Sequence, residues 1–329
     1  MTSQIQSLSG APMIREMNRS FGTQATPAMR EQPLVSFGLP VYNGENFVGE
    51  AIRSVLDQTF PNWELIICDN CSTDRTLGIC RGFAEKDNRI RIYQKSRNMG
   101  VCFNYHEVFR RSRGEYFKWM AHDDLFAPEF IESCLEELDK NRDLVLVFPK
   151  MCVIDAGGQK LRRQDGDLSV LKPAAEGRAE QFMRLATRGM DFIWLAYGLF
   201  RRDVLEQCGG MGLYAGADQV LLFKVALRGE IKQTEKEMFF RREHPQAETC
   251  RRGSTVRERA KGAYADDTRR FVFPWCRMLK EHLLCVLGSP ISLPAKARCA
   301  VAVLRRFAAA WKFFVEEALH SPLDAFRSI

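Results

Sequence analysis

The chain reads as an α/β protein with a mostly parallel sheet flanked by helices, and three features predict this. From Pro33 onward, short apolar runs alternate with stretches whose apolar residues recur at helical spacing. The runs are close to continuously apolar, as expected for strands covered on both faces. With 46% hydrophobic residues in 329, the chain can bury one large α/β core and still carry a smaller appendage.

Leu34 to Leu39 predicts the first strand, stopped by Pro40. Val48, Ala51, Ile52, Val55 and Leu56 then form one apolar stripe of a helix. Glu64 to Cys68 predicts the second strand. Ser72 is placed to cap a helix carrying Thr76, Ile79, Cys80 and Phe83. Ile90 to Tyr93 and Phe103 to Phe109 repeat the scheme. Tyr116 to Met120 and Leu144 to Phe148 supply two more strands, with an amphipathic helix from about Pro128 to Leu138 between them. Asp155-Ala156-Gly157-Gly158 predicts a hairpin turn, and 164–173 a mobile loop able to close over substrate.

Composition narrows the function classes. A net charge of +7 suits an anionic partner such as a nucleotide or a phospholipid surface. Nucleic acid is not expected as a partner, because no RNA- or DNA-reading motif is present. The eleven cysteines lie scattered at no disulfide or zinc spacing. One C-x-x-C, Cys68 to Cys71, has no second pair to complete a metal site. Residues 1–32 are polar and aperiodic, which predicts a flexible tail without a signal-peptide core. No run of about eighteen apolar residues predicts a membrane span. The expected location is cytoplasmic, with peripheral contact on the inner face of a membrane as an option.

Asp123 and Asp124 follow the apolar run Tyr116 to Met120, at a strand's carboxyl end, where open α/β sheets bind ligands. Adjacent carboxylates repel, and a divalent cation relieves that repulsion. Mg²⁺ or Mn²⁺ needs only one or two carboxylates when substrate phosphates complete its shell. The plain alternative is a turn capping the helix near Pro128. Neither G-x-G-x-x-G nor G-x-x-x-x-G-K-[ST] is present, so a phosphate cradle of either standard kind is missing. A metal on Asp124 is another way to hold a diphosphate.

Five blocks stand in order: Pro40-Val41-Tyr42-Asn43, Ser54 to Thr59, Asp69-Asn70-Cys71-Ser72-Thr73-Asp74, Asn98-Met99-Gly100 with Asn104, and Gly114-Glu115-Tyr116 leading to Asp123-Asp124. Together, across about ninety residues, they resemble the family 2 glycosyltransferases of the GT-A fold, a Rossmann-like sheet. The likeness runs more faintly to about His244.

The resemblance implies an inverting, metal-assisted transfer from a nucleotide-sugar donor to a saccharide or lipid-linked acceptor, as in surface polysaccharide or glycolipid assembly. It implies that Asp69 accepts a hydrogen bond from the donor base, with Pro40 and Tyr42 as the wall beside it. Asp69 as a plain loop cap is the alternative. Asn98 is implied near the donor, Asp123 on the ribose and Asp124 on the metal. Asn70 and Cys71 depart from the usual Asp and Gly of that loop. The block Tyr214 to Leu222 makes Asp218 the candidate general base, or else an acidic helix start. Arg241, Arg242 and His244 resemble an Arg-Arg-x-His-Pro stretch, making the arginines diphosphate candidates and His244 a further metal-ligand candidate. Trp194 and Tyr197, in the aromatic run Asp191 to Phe200, are acceptor-site candidates or core.

The implied organisation is a tail to residue 32, a transferase domain over 33–250 with donor and acceptor halves meeting at 125/126, and a helical extension over 251–329. In that extension Val301, Leu304, Ala308, Trp311, Phe314 and Val315 form an apolar stripe near Arg298, Arg305, Arg306 and Lys312. Its expected partner is an anionic leaflet, the transferase domain, or a second copy in a homodimer.

Overall fold

A computed structural model of the protein describes residues 32–187, 190–247, 273–315 and 317–318. The tail expected before Pro33 therefore lies outside the described residues, as do 251–272 and 319–329 of the expected extension.

Every strand and helix expected up to Phe148 is present. Strands β1 (Val35–Val41) and β2 (Trp63–Asp69) are buried along their whole length, which explains their unbroken apolar character. Helix α1 (Val48–Leu56) follows β1 and α2 (Thr76–Ala84) follows β2. Strand β3 (Ile90–Gln94), α3 (Val101–Arg111), β4 (Tyr116–Trp119), the two-residue β5 (Leu125–Phe126) and α4 (Phe130–Lys140) come next. In β2, Leu65 and Ile67 face one core while Ile66 and Cys68 face the other, so the period of two feeds a core on each side of the sheet.

Strand β6 runs from Leu144 to Ile154, well beyond the apolar run that predicts it. The expected turn joins it to β7 (Lys160–Arg163), with the Asp155 carboxylate accepting from the Gly157 and Gln159 amides. The 164–173 segment is not the open loop expected. Leu168 and Val170 are buried, and Val170 exchanges backbone hydrogen bonds with Ile231. Helix α5 (Ala175–Leu185), a 3-10 turn (Met190–Tyr197), β8 (Leu199–Arg201), α6 (Arg202–Cys208), α7 (Ala217–Arg228) and β9 (Glu230–Arg242) complete the sheet.

The strand order is β3-β2-β1-β4-β8-β6-β9-β5, with β7 on β6. The first four strands are parallel to one another. Strand β8 is antiparallel to both β4 and β6, and β9 is parallel to β6 but antiparallel to β5. The sheet thus has a parallel core and a mixed flank.

Two further helices, α8 (Pro274–Gly288) and α9 (Leu293–Ala309), pack on α7 and α5. Ser292 caps α9, its hydroxyl accepting from the Ala295 amide at 3.4 Å. The buried face of α9 is Ala295, Cys299, Val303 and Phe307. Of the expected stripe, Val301, Leu304, Trp311 and Val315 are left exposed. Helix α9 carries two apolar faces, and spacing says nothing about which one is covered. Among the described residues no helix is long and apolar enough to cross a membrane.

Candidate active site

The loops after β1 and β2 are tied together by short polar side chains. The Ser72 hydroxyl accepts from the Asn43 amide at 3.0 Å, and the Asn43 carboxamide oxygen accepts from the Thr73 amide at 2.9 Å. Thr76 Oγ1 accepts from the Gly44 amide at 2.8 Å, and Asp74 from the Glu45 amide at 3.1 Å. Both loops depend on left-handed residues, Asn43 at φ 50° and Cys71 at φ 65°. Asn tolerates that region, whereas Cys does so at a cost.

Asp69 is fully buried at the end of β2, and its carboxylate accepts from the Ser72 amide at 3.2 to 3.3 Å. A carboxylate can accept several hydrogen bonds, so this loop-capping contact leaves capacity for a ligand donor. Pro40 lies beyond the last rung to β4, and Tyr42 beside it is 43% exposed, the open part of that wall. Asn98 serves the loop itself, its Oδ1 accepting from Asn70 Nδ2 and the Gly100 amide, both at 2.8 Å. Asn104 ties α3 beneath these strands, donating to the Cys68 carbonyl at 2.8 Å. Burial pushes the Cys68 thiol up to about 12, which makes it a poor thiolate.

The second cluster joins distant segments. Pairing of β5 with β9 brings Asp123 and Asp124 beside Arg242 and His244. Asp124 is buried, and its Oδ1 accepts from the Arg242 amide at 2.9 Å. Burial, with Asp123 alongside, pushes its carboxyl well above the usual range despite that amide and the charges of Arg241 and Lys118. Asp123 goes the other way. Burial would raise it, but the hydrogen bond from His244 and the charge of His122 hold it lower. His244 Nε2 lies 3.0 Å from Asp123 Oδ2, and its ring packs 4.6 Å from that of Phe47. His122 sits against Gly44, where a Cβ would lie 2.4 Å from the imidazole, so that turn needs glycine.

Arg242 is buried, and each of its three guanidinium nitrogens donates to protein: to the Asp123 carbonyl at 2.9 Å, the Ala156 carbonyl at 2.7 Å and Glu50 at 2.6 Å. Its place is that of a clamp on the Asp123 backbone, which differs from the diphosphate contact expected of it. Arg241 lies 4.4 Å over the Trp194 ring and pairs with Glu243 at 2.9 Å. Trp194 is buried and stacks on Tyr197 at 5.8 Å, and Tyr197 hydrogen-bonds Tyr105 between hydroxyls at 2.9 Å. These rings are engaged with protein, as core packing requires, rather than lying open as sugar platforms.

Asp218 stands half-buried in the first turn of α7, with Oδ1 accepting from the Gln219 amide at 2.9 Å. Burial raises its carboxyl above the usual range, the direction that suits a base near neutral pH. Gly216, at φ 81°, opens that helix and leaves room for Met278 of α8, which a Cβ there would meet at 2.3 Å.

Sequence reasoning missed Lys118. It is fully buried in β4, with Nζ 3.8 and 3.9 Å over the Phe126 and Phe130 rings and donating to the Tyr197 carbonyl. Burial lowers it well below the usual lysine range. A lysine at the centre of the apolar run Tyr116 to Met120 was the available signal. Glu50, which accepts from Arg242, and Phe47, whose ring lies 4.8 Å under its guanidinium, had none, because they sit in α1 and its approach, far from Arg242 in sequence.

No group of three or more His, Cys, Asp or Glu gathers at metal-binding distance among the described residues. A buried carboxyl pushed upward beside a second acid does fit a hard divalent cation that draws most of its oxygen ligands from a substrate.

A family profile described as "Glycosyl transferase family 2" matches residues 36–209. A Bacillus subtilis protein, TuaG, named as a candidate teichuronic acid biosynthesis glycosyltransferase, is 32% identical over 135 residues, covering 41% of this chain and 50% of its own. An uncharacterised glycosyltransferase of Rickettsia typhi is 39% identical over 116 residues, 35% of each chain. The chain thus spans half or less of these relatives' lengths. Among solved structures, Staphylococcus aureus TarS with UDP-GlcNAc aligns at TM-score 0.59 and 17% identity, over 83% of this chain and 72% of that one. At that identity the likeness is one of fold, which is that of GT-A glycosyltransferases.

Proposed function

We propose, because the chain belongs to glycosyl transferase family 2, that it moves a sugar from a nucleoside-diphosphate donor to an acceptor hydroxyl with inversion at the anomeric carbon. The observation that carries this reading is the placement of Asp69, Asp123 and Asp124 at the carboxyl ends of β2 and β4, on either side of β1. Asp69 accepts from the donor base beside Tyr42 and Pro40. Asp123, oriented by His244, receives the ribose hydroxyls.

Asp124, with its buried carboxyl, is the residue to hold Mg²⁺ or Mn²⁺. Such an ion would supply neutralisation of the charge that develops on the leaving nucleoside diphosphate. Arg242 holds the Asp123 backbone through its carbonyl. Asp218 takes the proton from the acceptor hydroxyl as that oxygen attacks the anomeric carbon and the bond to the nucleoside diphosphate breaks.

The reading assigns residues 33–125 to the donor half, 126–250 to the acceptor half and 251–329 to a helical extension, with the tail before residue 33 outside the reaction. It places the protein in the cytoplasm, serving a saccharide or lipid-linked acceptor in surface polysaccharide or glycolipid assembly. Support comes from the family and from the glycosyltransferase names of the relatives. Further support is a solved structure of similar fold, a Pyrobaculum calidifontis mannosyltransferase described in complex with GDP-Man and Mn²⁺, at TM-score 0.50 and 16% identity over 94% of this chain and 92% of that one.

Incubation with a panel of nucleotide sugars tests it. Metal-dependent release of nucleoside diphosphate, suppressed by chelator, is the expected result. Pyrophosphate release would instead mean a nucleotidyltransferase, and release of neither would mean a module that only binds nucleotide sugars.

A further inference from the structure

The outward face of α9 is apolar where a soluble helix is ordinarily polar. Leu293 is 79% exposed, Trp311 58%, Leu304 50% and Val301 44%. Around a helix of 3.6 residues per turn, Leu293, Val301 and Leu304 fall on one stripe, and Trp311 extends it into the next helical turn. The opposite stripe is the one buried on α5 and α8. Leu284 and Leu287, at the end of α8, are 49% and 65% exposed as well.

Charge says what covers such a face. Residues 293–315 contain Lys296, Arg298, Arg305, Arg306 and Lys312 and no acidic residue. Arg298 and Arg305 flank the apolar stripe by helical position, and Lys312 follows Trp311 just past the end of α9. Beside it, between α9 and α5, lies a groove of about 700 Å³ lined by Arg184, Arg298, Arg305 and Arg306 together with Glu176 and Glu180. Arg298 pairs with Glu176 and Arg306 lies 5.2 Å over the Trp275 ring, whereas Arg184, Arg305 and Lys312 make no ion pair among the described residues. A second copy of the chain would bring the same positive charge against this one. A bilayer bearing anionic headgroups matches both features, apolar acyl chains for the stripe and phosphates for the arginines.

We propose that the outward face of α9, with the arginine groove beside it, docks the protein on an anionic lipid surface. The contact is in-plane and peripheral. It does not depend on the transfer reaction, so the two readings stand or fall separately. Helix α9 packs on α8 through its buried face, and α8 places Met278 against Gly216 at the start of Asp218's helix.

Flotation of the full chain with phosphatidylcholine vesicles, with and without phosphatidylglycerol, tests the proposal. The protein is expected to float with the anionic vesicles, to stay behind with the neutral ones, and to be released by high salt. Arg305→Ala and Lys312→Ala should each lower the partition coefficient about fivefold. Leu304→Asp with Trp311→Ala should abolish binding with the melting temperature unchanged, since both side chains are half or more exposed.

Failure of the wild-type protein to float, equal binding to neutral vesicles, or binding indifferent to these substitutions would overturn the proposal. Displacement by free glycerol phosphate alone would reduce the groove to a small-anion site and also overturn it. A stable dimer in sedimentation that Leu304→Asp dissociates would give the face to a second copy instead.

Discussion

Two parts of the candidate site are built differently. On one side, β1 and β2 are parallel neighbours whose loops are laced by Asn43, Ser72, Thr73, Asp74 and Thr76, all within one stretch of chain. On the other side, Asp124 meets the Arg242 amide across 118 residues, and Asp218 is buttressed through Gly216 by a helix that begins at Pro274. Short-range lacing makes a preformed loop platform. Long-range assembly makes a site whose carboxylates acquire their properties only on folding. Asp123 and Asp124 are adjacent in sequence, yet their carboxyls shift in opposite directions, because one faces two histidines and the other a buried amide beside its neighbour's charge.

The comparison breaks most clearly at Asp218. Asp218→Asn should lower turnover by about 10²- to 10⁴-fold with nucleoside-diphosphate affinity unchanged by calorimetry. Near-normal turnover would move the base elsewhere. Because burial raises this carboxyl and the active form is ionised, kcat/KM in the wild-type protein should fall on the acid side at a higher pH than an ordinary aspartate would give. The same sign means that ionised Asp218 costs folded-state stability at neutral pH, a cost relieved as pH drops through its folded value. The Asn variant should therefore melt higher at neutral pH, with the difference closing in acid.

Asp124→Ala should weaken Mn²⁺-dependent nucleoside-diphosphate binding by at least about tenfold and leave metal-free binding as it was. Unchanged affinity in manganese would remove the ligand role. Arg242→Ala removes the clamp between β9, Glu50 and the Asp123 carbonyl, and should cost about 3 kcal/mol of stability in denaturant titration. Arg242→Lys should recover little of it, because an ammonium cannot reach three acceptors set around a planar fork. A stability loss well under about 1 kcal/mol would show that the long-range side is not held this way.

The smallest effect belongs to the loop after β2. Cys71→Gly relieves a left-handed β-carbon at the cost of chain entropy, so a net gain of about 0.5 kcal/mol is expected. A loss would mean that the Cys71 side chain contributes packing that outweighs its backbone strain.

Much of the parallel half was legible in the chain. Val48, Ala51, Ile52 and Val55 read as a buried helical stripe and are one; Glu64 to Cys68 lies within β2, and Leu34 to Leu39 predicts β1, which starts at Val35 and runs through Pro40 to Val41 rather than stopping there. Asp69 and the Asp123-Asp124 pair were found by position, at strand ends, and there they stand. What was misread shares one cause. The 164–173 segment looked free because the Ile231 that pins it is some sixty residues away. Arg242 looked available because Glu50 and Ala156, which occupy it, cannot be seen from its neighbours in sequence. The apolar stripe of α9 is legible as a stripe, but whether it faces the protein or the outside is not, because a second apolar face of the same helix is the one that is buried.

Apolar period, turn chemistry and the order of motifs settle which segments become strands and helices and at whose ends the acids emerge, because backbone geometry and local hydrogen bonding operate over a few residues. Which acid is pushed up and which is held down, which arginine is already taken, and which face of α9 stays outside all depend on atoms brought together from opposite ends of the chain. Desolvation and charge act through space, and they come into being only when the sheet closes.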